Sequence, residues 1–220
     1  MAGIVVQLEE EALQEDADIL GLLRKAKVVA HKLKLDEFEK WTDCELGGYK
    51  SKDEVPEYRY LSGDLKAWNP YHSWIPVVSD GTLDSLKTQP IRDGIATLID
   101  LYGNSEGSII CNFNDVTNGL INKLSGEFPT SYCLIIGKNQ LKGVIERDKT
   151  IVLEWALALE DDNILGEGLT FTREEKESAA NNPTVQNYTN NIYGSVGEFQ
   201  LQQGTSGSLQ GDARTWGVVE

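Results

Sequence analysis

The chain has 220 residues, a formal net charge of −15, a hydrophobic fraction of 40% and an aromatic fraction of 8%. That length and apolar content support one large domain, or a main domain with an appendage. The negative charge speaks against direct binding to nucleic acid or to an anionic membrane, because both reward clustered Lys and Arg.

Cys44, Cys111 and Cys133 are odd in number and widely spaced, with no Cys-x-x-Cys. Reduced thiols fit this better than a disulfide framework. The N-terminus lacks a basic region followed by a long apolar run, and no apolar stretch approaches the ~20 residues of a bilayer span. A cytoplasmic protein with no membrane partner is expected.

In chain order, Val5 to Glu15 has helical spacing of Val5, Leu8, Ala12 and Leu13. Asp18 is the expected N-cap of a second helix, whose apolar residues are Ile19, Leu22, Leu23, Ala26, Val29, Ala30 and Leu33. Asp36 with Glu39 predicts a capping box for a third helix, ended by Gly47-Gly48. Tyr58 to Val78 then predicts an antiparallel pair of strands around the turn signal Asn69-Pro70, with Trp68 and Trp74 largely buried. Leu83 to Lys87 reads as a short helical piece. Pro90 suits the first turn of a helix that carries Ile91, Ile95, Leu98, Ile99 and Tyr102 and stops at Gly103. Ile109 to Phe113 reads as a strand. Asn114 caps a helix expected to bury Val116, Leu120, Ile121 and Leu124. Tyr132 to Ile136 reads as a further strand, and a long helix begins at Asn139. Thr172 with Glu175 predicts a capping box for an acidic helix to about Ala180.

From Asn181 the composition changes. Thr184 to Gly211 is rich in Asn, Gln, Gly, Ser and Thr and poor in charge, yet it keeps Val185, Tyr188, Ile192, Tyr193, Val196, Phe199 and Leu201. Polar, low-charge sequence of this kind can pair as strands between chains. The expected architecture is α+β: a mainly helical domain with a small antiparallel sheet over 1–180, then an extended β-forming tail over 181–220. Extended pairing is expected from about Val185 to Leu209, with Ile192, Tyr193, Val196, Phe199 and Leu201 joining copies. Residues 212–220 carry Trp216 but little pattern and stay unassigned.

Motifs for chemistry are few. Two histidines, His31 and His72, and three scattered cysteines give no metal spacing, and neither a phosphate loop nor a dinucleotide fingerprint occurs. No metal and no cofactor is implied. Gly103-Asn104-Ser105-Glu106-Gly107 matches Gly-x-Ser-x-Gly, but it follows a helix, precedes a strand, and has no histidine after it. A nucleophile elbow needs the opposite order, so this is a loop. Arg147 and Glu154, seven apart on the long helix, fit an ion pair better than a site. The candidate that remains is the aromatic turn. Trp68, Asn69, Tyr71, His72 and Trp74 offer stacking faces, an amide and an imidazole. Packing of those rings in a hairpin core is the competing reading.

Val55-Pro56-Glu57-Tyr58-Arg59 and Ala67-Trp68-Asn69-Pro70-Tyr71-His72-Ser73-Trp74-Ile75-Pro76-Val77 resemble the signature of the AbiTii family. Glu37-Phe38-Glu39-Lys40-Trp41, Val152-Leu153-Glu154-Trp155-Ala156 and Ile164-Leu165-Gly166-Glu167-Gly168 agree with it. The likeness spans most of residues 4–180. It implies a bacterial protein of abortive-infection phage defence, the kind that stops a phage by harming or arresting its host. It transfers no catalytic residue. The stretch from Gly194 to Gln210 resembles a Gln/Gly/Ser-rich repeat that often precedes a further module in such proteins; here the chain stops soon after, and no effector domain is expected beyond it.

Three functions compete. The first is a self-assembling defence protein, a homo-oligomer with a phage or host protein as partner. The second is an enzyme acting on a nucleotide or nucleic acid near residues 68–74. The third is a structural protein or toxin partner recognised by another component.

Overall fold

The computed structural model describes residues 3–125, 129–186, 188–193 and 213–218. The fold is α+β, and the chain divides into two units: Met1–Glu57 with Arg92–Leu98 and Gly143–Gly197, and Tyr58–Ile91 with Ile99–Lys142 and Glu198–Glu220.

The first unit is helical. It holds α1 (Ile4–Ala12), α2 (Ile19–Leu33), α3 (Asp36–Gly47) and the first residues of α4 (Ile95–Asn104). Every apolar residue that the sequence assigns to α2 is buried, as a stripe of 3.6-residue period requires. Lys34 closes α2 in a left-handed conformation, φ 59°, and the Leu35 N–H returns to Ala30 O at 2.9 Å. Gly48 ends α3 at φ 86°, where a Cβ would stand 2.9 Å from the Arg92 carbonyl oxygen. The predicted Asp36–Glu39 capping box does not form. Leu35 occupies the cap position without a side-chain bond, and Asp36 is the first helical residue, where its charge still favours the positive end of the helix. Pro90 does not open α4; it closes a strand, and the helix begins at Ile95.

In the same unit, Phe38 stacks on Trp155 with ring centroids 3.9 Å apart, and Trp41 and Tyr188 complete the aromatic core. Trp155 lies on α6 (Asn139–Asp161), whose last 19 residues, from Gly143, belong here. Arg147 and Glu154 form the expected ion pair at 3.7 Å, and Glu154 also accepts a bond from the Tyr188 hydroxyl at 3.1 Å. The capping box of α7 (Arg173–Asn181) does form. The Glu175 N–H donates to Thr172 Oγ1, and Glu175 Oε2 accepts from the Thr172 N–H at 2.7 Å.

Two short helices follow, α8 (Pro183–Gln186) and α9 (Thr189–Tyr193). The extended conformation expected from Val185 is therefore replaced by helix over these residues. Val185, Tyr188 and Ile192 are buried within the helical unit, so their apolar area is spent inside the chain. Val196, Phe199 and Leu201 lie outside the described residues.

The second unit is built on β-structure. The chain enters it through a 3-10 turn, Glu57–Arg59, and then forms β1 (Tyr60–Ser62), β2 (Asp64–Asn69), β3 (Ser73–Pro76) and β4 (Thr88–Pro90). A second 3-10 turn, Asp84–Leu86, precedes β4. β5 (Ser108–Phe113), α5 (Asp115–Ser125), β6 (Tyr132–Gly137) and β7 (Ala213–Val218) complete it. β1 pairs with β4 alone, while the antiparallel order of the other sheet is β3-β2-β6-β5-β7. Gly63 is the residue at which the chain changes sheets, and a Cβ there would collide with the Ile135 carbonyl.

β5 alternates half-buried and buried side chains, and β6 is buried at all but two positions. β7, which the sequence left unassigned, pairs with β5 from Val218 opposite Ile109 to Ala213 opposite Phe113. Asn114 caps α5 through Oδ1, which accepts the Thr117 N–H at 2.8 Å. The inward face of α5 is a correction. Thr117 and Ile121 are buried, but Val116, Leu120 and Leu124 stand 73%, 39% and 52% exposed.

Candidate binding groove

β2 and β3 form the predicted hairpin, in register from Lys66 opposite Pro76 to Asn69 opposite Ser73. The turn is set by Asn69. Its side-chain Oδ1 accepts the N–H groups of Tyr71 at 2.9 Å and His72 at 3.1 Å, and its carbonyl accepts the His72 N–H at 3.2 Å. This is the local trap that short amide side chains offer, and Pro70 supplies the fixed φ that the second turn position favours. Ser73 then takes φ 60°, which returns the chain into β3.

Trp68 and Trp74 face each other across the hairpin, edge to face, with centroids 5.3 Å apart and planes at 70°. The expectation of large burial fails for Trp68, which is 45% exposed, while Trp74 is half-buried on β3, the outer strand of the sheet. Tyr71, at the tip, is 89% exposed.

Beside this hairpin runs an open groove of about 1460 Å³. Residues 67–71 and Ile75 form one wall. Asn122, near the end of α5, and Pro129, Thr130 and Ser131, which lead into β6, form the other. Two bonds hold the walls together: Trp68 N–H to Ser131 O at 2.9 Å, and Thr130 Oγ1 to Trp68 O at 2.6 Å. Asn122 fixes the far wall from behind, donating through Nδ2 to Thr130 O and accepting the Thr130 N–H. A smaller groove of about 460 Å³ shares Ala67 and Ile75 and is lined further by Val78, Leu83, Leu124 and Tyr132.

Of the five residues chosen from the sequence, Trp68, Asn69 and Tyr71 line the larger groove, while His72 and Trp74 line neither. Asn122 and residues 129–131 carry no sequence signal that joins them to the hairpin. Only the β2–β6 pairing brings them there.

Other nucleophiles are placed poorly for chemistry. Burial pushes the Cys133 thiol up to about 12 against a smaller opposing pull from Lys66, and burial raises the Cys44 thiol as well. Neither is a ready thiolate. Ser105 of the Gly-x-Ser-x-Gly match is buried in the loop between α4 and β5. Among the described residues no group of three or more His, Cys, Asp or Glu is arranged to hold a metal ion. No described helix is long and apolar enough to cross a membrane.

The AbiTii family model matches residues 3–184. This chain belongs to the AbiTii family. Membership carries a role in abortive-infection phage defence. The AbiTii region contains every described residue that lines the larger groove and ends within α8, before β7. No curated protein and no solved structure matches the chain.

Proposed function

We propose that this AbiTii protein is a recognition component of phage defence, a sensor or effector scaffold that engages its partner through the groove beside the β2–β3 hairpin. The observation that carries the reading is the exposure of two large rings, Trp68 and Tyr71, at the wall of a concave surface. Exposed aromatic groups that gain no core contact are costly in water and useful in recognition. Groove-binding predicts that Tyr71→Ala abolishes protection of infected cells while His72→Ala, just outside the groove, does not. Equal protection by both variants would remove the reading.

The same proposal joins copies through the chain after Tyr193. Its support is the low-charge Asn, Gln, Gly and Ser composition and the apolar Val196, Phe199 and Leu201. Truncation belongs after Tyr193, since a cut at Pro183 would remove the buried Val185, Tyr188 and Ile192. Mass in solution decides: the full chain assembles and the truncated chain does not. A full chain that is monomeric at micromolar concentration would contradict it. An enzymatic reading has less support, because among the described residues the groove's lining holds neither carboxylate nor histidine.

A further inference from the structure

The groove's lining restricts what can occupy it, and this inference rests on the groove being the recognition site. We infer that its occupant is an extended, proline-containing polypeptide segment with basic flanks.

Charge comes first. Among the described residues no Asp, Glu, Lys, Arg or His lines the groove, and the chain as a whole carries −15. A phosphate or carboxylate ligand would enter without a counter-charge and against the field of the whole protein. Basic residues flanking an uncharged segment would be drawn in by that same field.

Hydrogen bonding comes second. The polar groups of the lining are largely committed to building it. Asn69 Oδ1 holds the turn, both ends of the Asn122 amide hold Thr130, and the Thr130 hydroxyl holds Trp68 O. A sugar or a nucleobase is read by several convergent donors and acceptors, and most of the acceptors of this set are spent. The lining residues still carry donors, the Trp68 indole N–H, the Asn69 side-chain N–H and the Tyr71 and Ser131 hydroxyls, of which the hydroxyls can also accept. Such donors suit a ligand rich in acceptors and poor in donors. A polyproline II segment is that ligand, since its backbone makes no internal hydrogen bonds and each proline offers a carbonyl without an N–H.

Shape comes third. Small-molecule sites enclose ~300–1,000 Å³. This groove, at about 1460 Å³, is larger and open to solvent. Trp68, Pro70 and Tyr71 line one wall and Pro129 the other, the aromatic and apolar composition on which proline helices dock.

The test uses the full chain and an acetylated, lysine-flanked decaproline peptide. A glycine–serine peptide of the same length and charge, a neutral glucose hexasaccharide and adenosine serve as comparison probes. The Trp68 indole N–H resonance is assigned by its loss in Trp68→Ala. The decaproline peptide is expected to shift that resonance, the three comparison probes are not, and Tyr71→Ala should weaken peptide binding by about tenfold or more. Absence of a shift with millimolar decaproline overturns the inference. So does equal binding of the glycine–serine peptide, which would show charge attraction alone, or undiminished binding by Tyr71→Ala. A shift by the saccharide or adenosine in place of the peptide overturns the ligand class and leaves the groove reading intact. Full phage protection by Tyr71→Ala removes the groove reading itself.

Discussion

The Thr130 hydroxyl donates to the Trp68 carbonyl at 2.6 Å, across 62 residues of sequence. That bond, with the neighbouring Trp68 N–H to Ser131 O bond, fastens the aromatic end of β2 to the segment that leads into β6. The groove exists because these two stretches are held side by side.

Thr130→Val keeps the shape and removes the hydroxyl donor. The Trp68 backbone bond to Ser131 remains, so the loss should be about 0.5–1.5 kcal/mol, that of one hydrogen bond. Urea unfolding measures it. A loss well beyond that range would mean that the two walls separate together.

Trp155 and Trp68 should respond unequally to truncation. Trp155 is fully buried and stacked on Phe38, so Trp155→Ala should cost ~3–5 kcal/mol. Trp68 is half in solvent and keeps one ring partner, so Trp68→Ala should cost about 1 kcal/mol. Equal melting temperatures for the two variants would contradict the burial described above.

Glu175 gives a pH signature of one sign. Burial pushes its carboxyl up, but bonds from the N–H groups of Gly166, Thr172 and Leu165 outweigh that, and the net shift is downward. A carboxyl held below its unfolded value stabilises the fold above that value, and the contribution fades as pH falls through the lowered one. Glu175→Gln should therefore lower the melting temperature near neutral pH, by the equivalent of about 1 kcal/mol after solvent screening. The gap to the parent chain should narrow in acid. A gap that is constant with pH would assign the effect to shape rather than charge.

Glu9 carries the opposite sign. Burial first, then the neighbouring Glu160 carboxylate, raises its pKa. The stability linked to its proton is present in acid and lost as pH rises through the raised value. Glu9→Gln should raise the melting temperature near neutral pH and leave it unchanged in acid. A lower melting temperature at neutral pH would show that Glu9 serves another contact.

Much of the helical unit is legible in the sequence, because α2 and α6 bury residues at a clean helical period and Thr172 with Glu175 caps as its spacing requires. β5 and β6 are legible as short apolar runs. Period alone does not say which side of an element is covered. Val116, Leu120 and Leu124 have core spacing on α5 and face solvent, and Trp68 sits in an outer hairpin rather than a core one. Ala213–Val218 is a strand because β5 offers an edge, which its own sequence does not announce. Half of the groove was visible as the aromatic turn. The other half, Asn122 and residues 129–131, is brought there by long-range pairing that no local signal encodes.

Recognition through the groove is tested most directly by the Trp68→Ala/Tyr71→Ala double variant, with phage protection and melting temperature measured on the same protein. It predicts that protection is lost while the melting temperature falls by no more than Trp68→Ala alone causes. Full protection by a folded double variant would contradict it.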